Sequence, residues 1–469
     1  MNSKAEPKKL IACGKYIAEL TPDGLTLVKY LGSDAEVVIP AVIDGMPVTR
    51  LSGTFCENNS IHSVVIPGGV TEIGNNTFCE CIGLESIELP YGVRRIGEYA
   101  FRDCRALRAI KLPDSLTRIE SSAFCDCSLL ASIEIPAGVI EIGESAFWSC
   151  CSLTSVAIPD GITTICDNAF CQCTALRSVT IPDGVTELGI EAFFKCSALR
   201  TVQLPGSLSV IHHGALQGCT ALQSVTAPEA DERIGQAFLE AYASPKSVVI
   251  PNGVKVIASS AFRDCTSLRS IFVPGSVTII GDAAFSGCSA LSEICCESSC
   301  GSVIDGVLYN DSASKLLCFP AGLDQDSFIV PDGVAEIGSD AFRGCATLKE
   351  ATVPGSVKII SNGAFSNCTV LHSVVIKEGV EIIRRGAFEG CAMLESICIP
   401  DSVRKIEGHA FWGCIILQSV FIPESVTEIG SDVFDSRQHL TIRCIEGSAA
   451  QRYAQKDGIP YRLVSDRES

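Results

Sequence analysis

Twenty-six cysteines in 469 residues are the first side chains to test for chemistry. A thiolate binds zinc, attacks a carbonyl carbon or pairs as a disulfide, and each role needs particular neighbours. Thirteen of them, at 81, 104, 127, 150, 173, 196, 219, 265, 288, 345, 368, 391 and 414, each lie three residues after a phenylalanine or leucine. A uniform row has no reason to pair. Free cysteine is a small, weakly polar residue that packs well in cores. The row therefore reads as structural free thiols, safest in a reducing compartment.

The other thirteen are less regular. Three Cys-x-Cys pairs stand at Cys79/Cys81, Cys125/Cys127 and Cys171/Cys173. Cys295, Cys296, Cys300 and Cys318 form a looser group, where a disulfide or metal site stands against ordinary thiols in an irregular segment. The six histidines, His62, His212, His213, His372, His409 and His439, are scattered, and no pair has metal-ligand helix spacing. No G-x-S-x-G, H-E-x-x-H or phosphate-loop motif occurs. An enzyme using the Cys295–Cys318 region is one reading, without a motif behind it. No cofactor or metal is expected.

The elements that hold these residues follow from an internal repeat. Prolines recur at 67, 90, 113, 136, 159, 182, 205, 228, 251 and 274, then at 331 and 354, and at 400 and 423, with Lys377 filling the missing slot in register. Every step within a run is 23 residues. The stretch from Leu107 to Phe124, LRAIKLPDSLTRIESSAF, with Cys127 after it, shows the repeated phrase. Before the proline, Ile110 and Leu112 alternate with Ala109 and Lys111, the period of a strand with one buried face. Proline has no N–H for the ladder and ends the strand. Leu116 and Ile119 must then enter the core from another side of the coil. The A-F-x-x-C stretch is expected to be a helical or 3₁₀ turn that plugs the core with its phenylalanine.

One coil cannot bury its own apolar residues, whereas stacked coils cover one another. Stacking sets the three Cys-x-Cys pairs two coils, roughly 10 Å, apart, too far for two pairs to share one zinc ion. Composition agrees with a repeat structure. Apolar residues are 47% and charged residues 19%, and the formal net charge is −18. An acidic surface repels phosphate backbones and anionic lipid, so no nucleic-acid partner is expected. No run approaches the roughly 18 apolar residues of a spanning helix, so no membrane insertion is expected. The N-terminus carries Lys4, Lys8 and Lys9 without an apolar stretch of signal-peptide length, and no export signal is read there.

The repeated phrase, over about residues 30 to 460, resembles the BspA-like leucine-rich repeats of bacterial and protozoan surface proteins. Three further stretches resemble that family's opening coil (VVIPAVIDGMPVTRL, 37–51), hairpin insertion (IDGVLYNDSASKLLCFPAG, 304–322) and closing cap (IEGSAAQRYAQKDGIPYRLV, 445–464). The expected fold is a repeat solenoid: a leucine-rich-repeat right-handed coil with one long parallel β-sheet, short 3₁₀ or helical turns and short second-side strands, capped at both ends. The expected domains are an N-terminal cap (1–35), a first solenoid block (36–296), an irregular coil with a β-hairpin insertion (297–330), a second block (331–436) and a C-terminal cap (437–469). In the cap, residues 449–456 should form a short helix stopped by Gly458. The hairpin is placed on 306–309 and 315–319, either bending the stack or projecting from it. A second departure replaces the usual residues with Asp231, Leu239 and Tyr242, and 237–245 could form a longer helix.

Two positions per coil should face outward from the sheet. The one four residues before the proline is nearly always serine, which reads as a structural row. The one two residues before it varies: Glu88, Lys111, Glu134, Gln203, Phe272 and Phe421 are the candidate binding residues, the two phenylalanines as exposed aromatic anchors. The resemblance implies a non-catalytic, protein-binding chain with a protein partner on this face, a host protein if it acts in adhesion. An intracellular scaffold is the alternative, and the free thiols lean that way, while the resemblance leans to the cell surface.

Overall fold

The computed structural model describes residues 10–226, 247–435 and 440–464. Asp231, Leu239, Tyr242, the 237–245 segment and His439 lie outside them. The chain divides into two compact units, Met1–Glu229 and Ala230–Ser469. Both are parallel β-solenoids, and the helix of the C-terminal cap is the one long helix among the described residues.

In the first unit each regular coil follows one path. A strand of about three residues ends at the proline, as Ser86–Glu88 and Ala109–Lys111 do, paired in parallel with Ile87 beside Ile110. The residue before the next proline still bonds across the coils, Leu89 N–H to the Lys111 carbonyl at 3.1 Å. The proline then ends the ladder, having no N–H. Its carbonyl accepts from the residue three on, as Pro113 does from Leu116 at 3.0 Å, and this turn drops Leu116 into the core. A two-residue strand follows on the second side, with Arg95–Ile96, Arg118–Ile119 and Glu141–Ile142 stacked in parallel. Its apolar residue is buried and its outward residue is often charged. Arg95 is clasped by Glu72 and Glu120, and Arg118 lies 3.8 Å from Glu141. In the second unit Lys315 bridges Asp282 and Glu336 at 2.9 and 3.1 Å.

The expected sheet is in register but not unbroken. Between Lys111 and Ser178 it thins to single bridges, Ile133 to Val156 and Ser155 to Ser178. Strands of three residues closed by proline leave few bonds to hold a ladder. The A-F-x-x-C stretch also differs in detail. It makes i→i+3 bonds, Cys104 N–H to the Phe101 carbonyl at 3.2 Å for example, yet forms no helix. Tyr99 and Asp103 stand at φ 57° and 58°, in the left-handed region, and the equivalent residues of most coils do the same. This alternation turns the N–H groups of Tyr99, Phe101 and Asp103 along the stack to the carbonyls of Ser121, Ala123 and Cys125, at 2.8–3.2 Å. A helix would have spent them inside the coil. The glycine after the second-side strand has another reason, since a Cβ on Gly143 would stand 2.5 Å from the Ser121 nitrogen of the coil before.

The core is a set of ladders. Phe55, Phe78, Phe101, Phe124, Phe147, Phe170 and Phe193 stack with centroids 5.1–5.4 Å apart. In the second unit Phe319, Phe342, Phe365, Phe388, Phe411 and Phe434 do so at 4.5–5.5 Å.

Phe319 belongs to the insertion, which does not project. Gly301–Ile304, Val307–Asn310 and Lys315–Cys318 form a three-stranded antiparallel meander, and the last strand joins Glu336–Ile337 in parallel. Val307, Leu308, Tyr309, Leu316 and Phe319 are buried. The first strand was not expected, although Asp305-Gly306, at φ 50° and 80°, is a two-residue hairpin turn of the kind that joins such strands. The first unit opens the same way: Leu10–Cys13, Tyr16–Thr21 and Gly24–Tyr30 form a meander whose last strand joins Met46–Leu51 in parallel, and Tyr30 packs on Phe55. At the far end, the helix runs Ala449–Asp457, capped by the Ser448 hydroxyl and by Gly458 at φ 67°.

Phe170 is fully buried between two rings 5.4 Å away on either side. Phe170→Ala should lower the unfolding free energy by about 3–5 kcal/mol. Denaturant melts of the two proteins measure this, and coincident curves would show that the ring is not a core plug.

Candidate binding face

The residues before the prolines alternate as expected. In strand after strand the middle residue is buried and its two neighbours face out, as in Ser86–Glu88, Ala109–Lys111, Ser178–Thr180 and Thr201–Gln203. The serine row aligns in register, Ser155 beside Ser178 in the first unit and Ser373 beside Ser396 in the second.

Among the candidates, Glu88, Lys111, Glu134 and Gln203 are all exposed on this face. Glu88 and Lys111 are side by side, with Nζ to Oε1 at 2.7 Å. This ion pair is open to water and adds little to stability. Among the described residues Glu134 and Gln203 form no ion pair with Glu88 or Lys111.

Phe272 corrects the sequence reading. It is 6% exposed, not an open aromatic anchor. All four residues of its strand, Ser270–Val273, are buried, Ser270 and Phe272 included, so the outer face is covered at this coil. A local alternation pattern cannot reveal such cover. Phe421 is half-buried, and the Arg443 guanidinium lies 5.9 Å from its ring centroid. The most open apolar residues at the variable position are smaller: Val38 at 69%, Val65 at 59%, Ile329 at 70% and Val375 at 51%. Residue size favoured phenylalanine in the sequence, whereas accessibility favours these. In the second unit Ile329, Thr352 and Val375 are neighbours in register, as are Cys398 and Phe421.

The thiol row has a specific job. The Sγ–H of Cys81, Cys104, Cys127, Cys150, Cys173, Cys196 and Cys219 donates to the carbonyl of the phenylalanine in the coil before, at 3.0–3.2 Å. In the second unit Cys288, Cys368, Cys391 and Cys414 repeat this at 2.9–3.2 Å. Burial pushes Cys104, Cys127, Cys150, Cys173 and Cys196 well above the ordinary thiol value, and Cys219 and Cys414 up to about 12. They stay protonated and keep donating.

Cys295 and Cys296 pair with Phe272 and Val273 in the sheet, Cys318 is buried, and burial raises all three thiols. Cys300 stands 2.8 Å from the Ser298 hydroxyl. Among the described residues no three His, Cys, Asp or Glu side chains are grouped to hold a metal. A hollow of about 700 Å³ near the N-terminal meander contains Lys15, Tyr30 and Asp34, but these satisfy one another, with Lys15 Nζ 2.6 Å from Asp34.

A family profile described as "BspA type Leucine rich repeat region" matches residues 51–176, 141–244, 232–325 and 315–441 in overlapping stretches. The chain belongs to the BspA type leucine-rich repeat family. A leucine rich cell surface protein from Faecalibacterium prausnitzii is 29% identical with a TM-score of 0.59, over 96% of this chain and 98% of that one. A leucine-rich repeat protein from Bacteroides ovatus has the same fold, 24% identical with a TM-score of 0.50, over 99% of this chain and all of that one (100%). No curated protein sequence matches the chain. BspA type repeats are scaffolds, and the residues common to the coils here are taken up by core and turns. Among the described residues no helix is long and apolar enough to cross a membrane.

Native protein should expose few thiols to an aqueous disulfide reagent, because the row is buried, and all 26 should react after unfolding without reductant. A denatured count well below that would mean disulfides in place of the row. The raised thiols also set a pH dependence. Their folded values lie above the unfolded value of 9.0, so their stabilisation is complete below that pH and is lost as pH rises past it. The guanidinium midpoint should fall between pH 8 and 10.5, and a flat profile would contradict the assignment.

Proposed function

We propose that this chain is a non-catalytic protein-binding scaffold that takes a protein partner on the outward face of the strands before the prolines. The observation that carries this reading is the contrast between positions of one repeat. The apolar, cysteine and glycine positions recur because stacking demands them. Much of the second-side charge is paired between coils. The exposed position two before the proline is held to no residue type: Val65, Glu88, Lys111, Glu134, Gln203, Ile329 and Val375 share one location. Freedom from structural demand is what a recognition surface requires.

Resemblance to a protein described as a cell surface protein supports adhesion or host-protein binding as the setting. A second reading, a scaffold in a reducing compartment, is favoured by the row of thiols that must stay reduced to donate.

The test is capture of host-cell and matrix proteins on immobilised chain, with Ile329→Glu and Lys111→Glu on the face and Arg118→Glu on the second side. Saturable capture should fall at least tenfold in one or both face variants and hold in the second-side variant. Equal capture by all of them, or loss only with Arg118→Glu, would place binding elsewhere.

A further inference from the structure

Among the cysteines outside the buried row, one pair occupies the same repeat position in successive coils. Cys56 and Cys79 are 23 residues apart, each directly after a stacked phenylalanine. Phe55 and Phe78 stack at 5.2 Å with planes 6° apart, so the two backbones run in register here. Bonds on either side of Cys56 fix that register, Phe55 N–H to the Thr77 carbonyl at 2.8 Å and Glu57 N–H to the Cys79 carbonyl at 2.7 Å. The Cα atoms are then about one strand spacing apart, roughly 5 Å, inside the 4.4–6.8 Å range that a disulfide bridges. Each thiol is close enough to shift the ionisation of the other. Cys56 is exposed and Cys79 lies buried beside it.

The irregular cysteines elsewhere lack this arrangement. One repeat length away from Cys125 stand Arg102 and Trp148, and from Cys171 stand Trp148 and Phe194. The exposed Cys398 has Val375 and Phe421 in the same places. The row thiols are neighbours of one another, but each is buried with its Sγ–H directed to a carbonyl, as Cys81 is to Phe55 at 3.0 Å.

We propose that Cys56 and Cys79 are a redox-modification site that closes to an intrachain disulfide on contact with a low-molecular-weight disulfide. The accessible Cys56 thiolate attacks one sulfur of the oxidant. The oxidant S–S bond breaks, one thiolate leaves and takes a proton, and a mixed disulfide forms on Cys56. Cys79 then gives its proton to solvent and its sulfur attacks Cys56 Sγ, expelling the second oxidant thiolate. Two protein thiols lose two electrons and two protons, and one oxidant disulfide becomes two thiols. Burial raises both thiols, Cys79 to about 12, so the exchange quickens with pH. The bond ties the first regular coils together beside the N-terminal meander and restricts the unfolded chain.

Full-length reduced protein is incubated with oxidised glutathione at pH 8, quenched with N-ethylmaleimide and cut after glutamate. Cleavage at Glu57, Glu72 and Glu80 puts Cys56, Cys79 and Cys81 on three different peptides. The expected result is a Cys56–Cys79 linked pair, a higher Tm reversed by dithiothreitol, and neither change in Cys56→Ser. A lasting glutathione adduct on Cys56 with Cys79 free, a link from Cys56 to Cys81, or both thiols intact while Cys398 is modified would each overturn the proposal.

Discussion

Each coil of this chain is half of a core, and the contact between equal positions of successive coils completes it. Phe170 has no apolar partner of its size within its own coil; it has Phe147 and Phe193, both 5.4 Å away. That spacing is imposed by backbone bonds between coils, such as Phe170 N–H to the Ala192 carbonyl at 2.9 Å. A ring near 5 Å from an identical ring fits without a void, and a residue of another size would leave a gap or a clash on both sides. The thiol row obeys the same constraint. A group at that place must be small, must be dry, and must still donate to a carbonyl of the coil before. A protonated thiol does all three, which accounts for cysteine where alanine would merely fit.

A stack completed by its neighbours has to begin and end on something else. Two meanders solve the beginning in the same way. Gly24–Tyr30 and Lys315–Cys318 are each the last strand of an antiparallel set, and an aromatic ring at or just past the strand's end, Tyr30 or Phe319, meets the first ring of the coming stack. The segment that looks like an insertion in the repeat therefore has the form of a starting cap placed inside the chain. The end is solved by the helix, whose Tyr453 hydroxyl takes the Val433 N–H at 3.1 Å while its ring packs on Phe434.

The repeat made most of this legible. Pro113, Leu116, Ile119, Phe124 and Cys127 recur with the spacing of ladders, and their burial follows from stacking alone. What was not legible depends on geometry that residue type does not encode. Tyr99 and Asp103 adopt left-handed backbone without being glycine, so their turn was expected to be helical. The strand Gly301–Ile304 carries an apolar pattern too short to stand out, although the Asp305-Gly306 turn after it was readable. Phe272 sits at an outward position by register and is buried all the same, because a face is open or covered according to what lies over it. The outward face is thus legible in the sequence as a set of positions, while its accessible members are read from the structure.

That set of positions constrains what kind of contact the face can make. A stable protein interface covers on the order of 20 residues a side. This sheet offers two outward residues per coil, one of them a nearly constant serine. Strand residues alone would need on the order of ten coils to reach that size. A partner on this face must either lie along many coils or also use the rim beyond the prolines. Beyond the prolines the rim also carries open side chains: Tyr91, the residue after Pro90, is 80% exposed, and it follows Glu88 by three positions. On such a surface the variable side chains recur at intervals near 5 Å, so a partner taken there would be selected by the order of side chains along the stack more than by any one pocket.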